Sequence, residues 1–176
     1  MSLPTLPTLP TALVPADDLA AARALMDVAF DDFSEHDWDH ALGGLHALDH
    51  HDGRLVAHAS LVLRRLQVGS RWLRCGYVEA VAVHPDRQGT GHGAGVMAAL
   101  EALAPGYDLL ALCASERARS FYEARGWTVW RGPTRVLGPR GVEPTPDEDG
   151  AVLVLGGTGL DLDAPITCDW RDGDVW

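Results

Sequence analysis

A glycine-rich loop between an apolar strand and a helix constrains this chain more than any other feature of its sequence. Residues 75–83, before the loop, are rich in Val, Tyr and Ala with one embedded acid, a composition typical of a buried strand. Pro85 ends that strand because proline cannot donate to the strand ladder. Gly89, Gly91 and Gly93 then leave backbone N–H groups uncovered where the next helix begins, and this arrangement predicts an anion site.

Three anion-binding motifs compete for this loop. A P-loop requires Gly-Lys-Ser/Thr after the glycines, whereas residues 90–92 read Thr-Gly-His. A dinucleotide fingerprint requires the strand to run straight into Gly-x-Gly-x-x-Gly, but residues 85–88 intervene. Residues 88–93 match the third pattern, Gln/Arg-x-x-Gly-x-Gly/Ala after a strand that ends in Val-x-Pro. They resemble the pyrophosphate loop of the GNAT superfamily, which binds acetyl-CoA, and a glycine-rich turn without a ligand is the alternative.

Length and composition predict one globular domain. The chain has 176 residues, of which 47% are hydrophobic, so it can bury a sizeable core. No apolar run approaches the roughly 20 residues of a membrane span, and the N-terminus lacks the basic region and apolar core of a signal peptide. The three cysteines are odd in number and irregularly spaced, which favours a reducing compartment over disulfides or a zinc site. We therefore expect a cytoplasmic protein.

The charge distribution indicates which kinds of molecule the protein can bind. The net charge is −11, which argues against nucleic acid and against an anionic membrane. Residues 141–176 hold nine acids and one base, Arg171, so they carry −8 of that total. This acidic segment is either a solvated surface that aids solubility or the source of a field that attracts a cation.

Periodicity and turn signals predict an α/β chain around a mixed sheet. Residues 1–11, which repeat Pro-Thr-Leu, are expected to form a flexible N-terminus, and residues 12–176 a single domain. The predicted elements are strand 12–14, helix 17–30 capped by Asp17, a short helix capped by Ser34, strands 45–49, 54–66 and 72–83, a helix after the glycine loop, strand 109–113, a helix capped by Ser115, strand 127–136, loop 138–150, strand 151–155 and an aperiodic tail 161–176. This order matches the GNAT acyltransferase fold, a mixed, mostly antiparallel central sheet flanked by helices.

Glu79 is the first candidate for chemistry. Alternate residues of a strand share a face, so Glu79 should lie beside Tyr77 and Val81, unless a bulge intervenes. A carboxylate inside an apolar strand is costly unless it is paired or functional. The structural alternative is an ion pair with one of three arginines, Arg64, Arg65 or Arg74.

Tyr122 is the second candidate. It lies in a segment, residues 118–127, that resembles the GNAT helix presenting a tyrosine before a Gly-aromatic turn, and a core tyrosine is the alternative. Acetyl transfer to an amine needs a base, a donor to the thioester oxygen and an acid for the thiolate. Glu79 can take the amine proton directly or through water, a backbone N–H near Val81 can serve the oxyanion, and Tyr122 can protonate the thiolate.

Two further constellations carry less weight. His46, His50 and His51 could suggest a metal, but their spacing in a strand and turn fits no closed site, so no metal is expected. Cys113 could be a nucleophile, but no histidine lies in the neighbouring motif, and a buried structural cysteine is favoured.

Several segments together carry a more specific resemblance. They are residues 11–14, 37–40, 42–47, 73–79, 132–134 and 145–150, and the terminal Cys-Asp-Trp-Arg-Asp-Gly-Asp-Val-Trp of residues 168–176. In these segments the chain resembles the aminoglycoside 2′-N-acetyltransferases, a GNAT branch, over nearly its whole length after Thr11. The terminal motif is the most specific of them, because general GNAT enzymes do not carry it.

The resemblance implies a function: acetyl transfer from acetyl-CoA to the 2′-amino group of aminoglycosides in a ternary complex, by a homodimeric enzyme. It implies catalytic roles for Glu79, through water, and for Tyr122 as general acid. It implies that acetyl-CoA is held by Val81, Ala82, Val83, Gln88, Gly89, Thr90, Gly91, His92 and Gly93. It implies that the drug is held by Asp37, Cys113, Glu148, Asp174 and the carboxylate of Trp176.

This chain departs from the family pattern at two of these positions. Glu148 replaces an aspartate, which keeps the charge on a longer arm, and Cys113 replaces a residue that is usually serine. The alternatives are a GNAT enzyme that acetylates another polyamine or a cell-envelope amine, and a CoA-binding sensor without turnover.

Overall fold

The computed structural model describes residues 6–176. The chain divides into two compact units. The first holds the described residues up to Val62 together with Val78–Leu103, and the second holds Leu63–Tyr77 together with Ala104–Trp176. Two long strands, β3 (Arg54–Val68) and β4 (Arg71–Val83), contribute residues to both units. The single domain predicted for residues 12–176 stays a prediction.

The first unit is built on antiparallel strands and three helices. Besides its parts of β3 and β4, its elements are β1 (Thr8–Pro10), a 3-10 turn (Thr11–Leu13), α1 (Ala16–Ala29), α2 (Glu35–Ala41), β2 (Leu45–His51), a 3-10 turn (Pro85–Arg87) and α3 (His92–Glu101). β1 pairs with β2, and β2 pairs with β3, with Leu9 opposite His46 and Ala47 opposite Ala59.

The N-terminal segment differs from its prediction. The strand expected at residues 12–14 is wrong, because Thr11–Leu13 forms a 3-10 turn and the strand is Thr8–Pro10. Within the segment predicted to be flexible, residues 8–10 are thus paired with β2, while residues 1–5 lie outside the described part. A proline is tolerated in such a strand when its missing N–H falls on the edge of the sheet. The Pro-Thr-Leu repeat led to the prediction of a flexible segment where this strand lies.

Two of the turns and caps predicted from local sequence in the first unit are confirmed, and one is wrong. α2 begins with a capping box, in which the Ser34 side chain accepts from the Asp37 N–H and the Asp37 carboxylate accepts from the Ser34 N–H. The β2–β3 hairpin turns at Asp52 and Gly53, with φ of 52° and 74°, as a type I′ turn requires. Asp17 does not cap α1, because the helix already begins at Ala16, after Pro15.

The second unit contains a mixed sheet. Besides its parts of β3 and β4, its elements are a 3-10 turn (Ala104–Gly106), β5 (Leu109–Cys113), α4 (Glu116–Glu123), β6 (Thr128–Val129), β7 (Thr134–Gly138), β8 (Gly141–Pro144), a 3-10 turn (Pro146–Glu148), β9 (Val152–Gly156) and β10 (Ile166–Asp169). The strand order is β6-β9-β5-β4-β3-β10-β7-β8. β4 with β5 and β10 with β7 are parallel, whereas β9 is antiparallel to β5 and β6. Pairing of β4 with β5 covers Cys75–Tyr77.

The second unit differs from the sequence predictions in four features. The strand predicted at 127–136 is two strands. Between them, Gly132 lies so close to the backbone of Ala164 that a Cβ would be 2.0 Å from its carbonyl oxygen. The loop predicted at 138–150 contains β8, and the tail contains β10. Ser115 stands at the N-cap of α4 but its side chain makes no capping hydrogen bond. Short strands held by partners far along the chain leave little periodicity to detect.

Buried residues form the interior of each unit. In the first, Leu25 and Met26 of α1 pack with Ala82 of β4, and Trp38 packs against that cluster. In the second, Trp130 is fully buried and its indole N–H donates to the carbonyl of Ala164 at 2.8 Å. Among the described residues, no helix is both long and apolar enough to cross a bilayer.

Candidate active site

The last part of β4 contains a break in the extended backbone. Ala80 has φ of +48°, in the left-handed region that residues with a Cβ seldom adopt. Glu79 and Val81 on either side are half-buried, and Ala82 is buried. A left-handed residue within a strand interrupts the alternation of side chains between the two faces of the sheet. The residues after Glu79 therefore do not continue the alternation that the sequence predicted.

Two polar side chains of β3 bind the backbone carbonyls at this break. The imidazole Nδ1 of His58 lies 2.8 Å from the carbonyl oxygen of Ala80. The Ser60 hydroxyl donates to the carbonyl of Glu79 at 3.4 Å. Both donors are fully buried. The break is therefore held by specific side-chain contacts and is not a loose end of the strand.

Two of the three arginines considered as ion-pair partners for Glu79 bind other acids. Arg64, 4% exposed, donates to the carboxylate of Asp169 at 2.8 Å and to the backbone carbonyl of Val175 at 2.8 Å. The backbone N–H of Arg74 donates to the carboxylate of Asp108 at 2.7 Å, and its guanidinium lies 3.5 Å from the same carboxylate. The Arg74 contacts lower the pKa of Asp108.

The glycine loop has the open backbone that an anion site needs. Gly89 and Gly91 have φ of 74° and 96°, and a Cβ added to either would meet no atom within 4 Å. Gly91 is the N-cap of α3, which begins at His92. The Gln88 amide donates to the carbonyl of Val83 at 3.4 Å, which ties the loop to the end of β4. These residues form a positively polarised cradle at a helix N-terminus.

A histidine at the start of α3 is held by an acid of β2. Nδ1 of His92 lies 2.7 Å from the Asp49 carboxylate, and the two side chains are only 17% and 18% exposed. The His51 ring contacts the His92 ring edge-on, with centroids 5.6 Å apart. Asp49 thus orients a loop residue that was predicted to bind cofactor.

A cavity of about 340 Å³ lies in the same unit and includes residues that precede the loop. Its walls are His51, Asp52, Arg54, Val56, His84, Asp86 and Arg87. Two arginines and two aspartates supply its formal charges. Arg54 and Arg87 are the groups of this cavity that can bind an anion.

Tyr122, in the second unit, is buried among aromatic rings. It is 7% exposed, and its ring contacts those of Phe121 and Trp127 at centroid distances of 5.1 and 6.1 Å. Burial raises the pKa of Tyr122 to about 12. Its hydroxyl is therefore protonated throughout the physiological pH range, as a proton donor must be.

The acids near the C-terminus are mostly engaged within the chain. The Cys113 thiol donates to the Glu148 carboxylate at 3.1 Å. The Asp174 carboxylate accepts from the backbone N–H of Trp176 at 3.1 Å, and the buried Trp176 ring donates through Nε1 to the Thr145 hydroxyl at 2.9 Å. The acids of residues 141–176 that accept such bonds include Glu143, Glu148, Asp149, Asp161, Asp163, Asp169 and Asp174.

The structure thus distributes the predicted site residues over the two units. The first unit holds Asp37, Glu79, Val81–Val83 and Gln88–Gly93. The second holds Cys113, Tyr122, Glu148, Asp174 and Trp176. Asp37 already serves the capping box of α2, through one carboxylate oxygen.

Sequence reasoning missed the polar residues that support β4 and the loop. Thr11, His46, His58 and Asp49 hold Ala80 and His92; of these, only His46 was considered, as a metal ligand and not in this role. One signal was available: His58 interrupts an apolar run between Ala57 and Ala59, where a buried polar group requires a partner.

Comparison with known proteins agrees with this architecture. The acetyltransferase (GNAT) family model matches residues 16–127. The chain is 53% identical over 162 residues to the aminoglycoside 2′-N-acetyltransferase of Mycolicibacterium fortuitum, a match that covers 88% of this chain and 83% of that protein.

Solved structures share the fold at low identity. Arabidopsis thaliana Naa50, in complex with the bisubstrate analogue CoA-Ac-MVNAL, has a TM-score of 0.59 and 14% identity, over 87% of this chain and 99% of that one. Eis1 from Mycobacterium abscessus has a TM-score of 0.58 and 20% identity over 70% of this chain. This chain covers 32% of Eis1, about a third of its length.

The chain therefore belongs to the acetyltransferase (GNAT) family. Within that family, the identity to the M. fortuitum enzyme confirms the predicted likeness to the aminoglycoside 2′-N-acetyltransferases. The predictions of a GNAT fold and of an acetyltransferase are confirmed with it.

Proposed function

We propose that this enzyme transfers acetyl from acetyl-CoA to the 2′-amino group of aminoglycoside antibiotics and so confers resistance. The observation that carries the proposal is the 53% identity, over 88% of the chain, to an aminoglycoside 2′-N-acetyltransferase. The acidic composition supports it independently, because aminoglycosides are polycations and the net charge of the chain is −11.

Acetyl-CoA is the proposed co-substrate, and the glycine loop supports this. The N–H groups of residues 88–93 would hold the pyrophosphate at the start of α3, and the backbone of Val81–Val83 would pair with the pantetheine arm. The cationic side chains Arg54 and Arg87 of the 340 Å³ cavity offer additional sites for negative charge on the nucleotide.

The proposed reaction is a direct transfer. The 2′-amine nitrogen attacks the thioester carbon, a C–N bond forms, and the C–S bond breaks. Glu79 receives the amine proton through water, and an N–H beside the Ala80 break binds the developing oxyanion. Tyr122 donates its proton to the departing sulfur. Because the pKa of Tyr122 is about 12 against about 8.5 for a thiol, this proton transfer is uphill by itself, and cleavage of the C–S bond must drive it.

The proposed drug contacts are carboxylates that already have one partner each. Asp37, Glu148 and Asp174 each use one oxygen within the chain and would offer the other to an ammonium group. The Trp176 carboxylate would add to them. Intramolecular hydrogen bonds of this kind fix a carboxylate before the drug arrives, which lowers the entropy lost on binding.

The oligomeric state and location belong to the same proposal. We propose a homodimer, supported by exposed apolar residues of the second unit: Leu63 61%, Trp72 43%, Leu137 39%, Val142 52% and Trp170 50%. Leu137 and Val142 lie opposite each other on β7 and β8. The three free cysteines support a reducing compartment, and we place the enzyme in the cytoplasm.

The test is thiol release from acetyl-CoA with two drugs, kanamycin B, which has a 2′-amine, and kanamycin A, which has a 2′-hydroxyl. Turnover with kanamycin B alone is expected. Turnover with both would contradict the 2′ regiochemistry. Turnover with neither would contradict the drug as substrate, and a panel of polyamines would then test the other-amine alternative. Acetyl-CoA binding without thiol release on any amine would favour the sensor.

A further inference from the structure

A chain of hydrogen bonds, buried where it joins His46 to His58, links the N-terminal segment to the break in β4. The backbone N–H of Gly43 donates to the Thr11 hydroxyl at 2.9 Å. That hydroxyl lies 2.7 Å from Nε2 of His46, and Nδ1 of His46 lies 2.9 Å from Nε2 of His58. Nδ1 of His58 lies 2.8 Å from the carbonyl oxygen of Ala80. All five residues belong to the first unit.

The chemistry of the groups fixes the direction of every bond in this chain. A carbonyl oxygen only accepts, so Nδ1 of His58 carries a proton. His58 and His46 are both fully buried, and burial lowers the pKa of both, that of His58 to about 4. Both rings are therefore neutral at pH 7, and each has one N–H. Nε2 of His58 must accept from Nδ1–H of His46, and Nε2 of His46 must accept from the Thr11 hydroxyl.

The last acceptor belongs to a strained residue. Ala80 has φ of +48°, and a left-handed conformation costs a non-glycine residue about 1 kcal/mol or more. Such a conformation persists only where its surroundings hold it. The contacts around Ala80 meet that condition, because His58 binds its carbonyl and the Trp38 ring packs 6.1 Å from the His58 ring.

Ala80 stands between the two groups that the proposed reaction needs from β4. Its carbonyl and the N–H of Val81 belong to one peptide plane, so fixing the carbonyl fixes the direction of that N–H. Glu79 precedes it, and the torsion angles of Ala80 separate the two. A rotation of this peptide would turn the proposed oxyanion donor away, although no side chain at the reaction centre had changed.

We propose that His58, oriented by His46 and Thr11, is a positioning residue that locks the Ala80–Val81 peptide and so aims the Val81 N–H for acetyl transfer. The inference deepens the proposed function and rests on it. Neither histidine touches the substrate. The relay of hydrogen bonds from Thr11 through His46 and His58 ends on the backbone carbonyl of Ala80. Because a carbonyl cannot pass a proton on, the relay orients the peptide and does not transport protons.

Two substitutions of His58 test the roles of the two imidazole nitrogens separately. His58→Asn places an amide N–H near the position of Nδ1, where it can donate to Ala80, but removes the contact with His46. His58→Gln extends toward the position of Nε2 and its His46 contact, and displaces the donor from Ala80. Both variants are polar, and both lose the ring.

The expected result concerns kcat with kanamycin B. His58→Asn keeps kcat within about threefold of wild type, whereas His58→Gln lowers it at least tenfold, as loss of one oxyanion donor does. KM for each substrate changes little in either variant. Leu61→Ala, a core change on the same strand with Leu61 1% exposed, lowers Tm without changing kcat. Equal kcat in both His58 variants, or a kcat that simply follows Tm across the three, would overturn the proposal.

Nitrogen-15 NMR of the histidine rings in the wild-type protein supplies a test that needs no turnover. At pH 7, His58 and His46 should both be neutral with the proton on Nδ1. A proton on Nε2 of His58, or a charged ring, would overturn the relay. This test still decides the relay if kanamycin B is not acetylated, so failure of the drug assignment and failure of the inference are distinguishable.

Discussion

At the scale of single residues, the proposed chemistry depends on how burial treats each titratable group. Desolvation raises the pKa of Tyr122 and is the largest cause of the lowered pKa of His58, because in both cases it disfavours the charged form. One effect therefore produces a tyrosine that stays protonated and a histidine that stays neutral. Both states suit the roles proposed for them.

Glu79→Gln should lower kcat by roughly 10²- to 10⁴-fold, the usual contribution of a general base, while the Kd for the drug changes little. The loss should be steepest at low pH, where the amine is protonated and most needs a base. Steady-state kinetics between pH 6 and 9, with calorimetric drug binding, measure both. A variant with the wild-type rate across that range would remove Glu79 from the mechanism.

Tyr122→Phe should lower kcat with little change in drug affinity, because the hydroxyl is proposed to act only as the C–S bond breaks. With a pKa of about 12, Tyr122 stays protonated, so wild-type kcat should show no fall on the alkaline side up to about pH 10. Stopped assays of thiol release across pH measure this. Wild-type kcat in the variant would reassign Tyr122 to packing, and an alkaline fall near pH 8 in the wild type alone would contradict the pKa.

At the scale of elements, β3 carries a pH-dependent share of stability. His58 has a folded pKa of about 4, below its unfolded value of about 6.5, so the unfolded chain binds the extra proton between these values. The stabilisation is complete above pH 6.5 and is lost as pH falls toward 4, by about 3 kcal/mol in all. Urea unfolding at pH 7 and pH 4.5 should show a smaller difference for His58→Asn than for wild type. If the free energy of unfolding changes equally between the two pH values in both proteins, His58 contributes nothing to the pH dependence of stability.

A half-buried ion pair reinforces the backbone pairing of β3 with β10. Asp169→Asn leaves the guanidinium of Arg64, 4% exposed, without its carboxylate. Breaking a buried pair costs about 3–5 kcal/mol, and the 40% exposure of Asp169 reduces this to about 2 kcal/mol. Asp163→Asn is the matched control, because its pair with Arg131 is exposed on both sides and should change stability little. Similar denaturation midpoints for the two variants would contradict a special role for Arg64.

At the scale of the whole molecule, the charge of −11 should act on substrate capture. Raising ionic strength from about 0.01 to 0.15 M shortens the Debye length from about 30 to 8 Å, so KM for kanamycin B should rise several-fold. KM for acetyl-CoA, an anion, should not rise in parallel. Initial rates at several concentrations of NaCl measure both constants. A parallel rise would mean that salt acts on the protein and not on capture of the cation.

The sequence by itself determined the elements whose signals are local. The Asp-Gly hairpin, the Ser34 capping box, and the strand, proline and glycine order around β4 each need only neighbouring residues, and they placed Glu79, Gln88–Gly93 and Tyr122 on their elements. The terminal motif was enough to indicate the branch of the family, because it is a linear pattern.

Only the tertiary structure decided the features whose partners lie far apart in the chain. β1 and β10 are short, and they are strands because Leu9 meets His46 and Thr167 meets Gln67. The strained backbone of Ala80 is held by His58, which is in turn hydrogen-bonded to His46. These three residues lie on three different strands, so no local sequence pattern predicts that their polar groups pair.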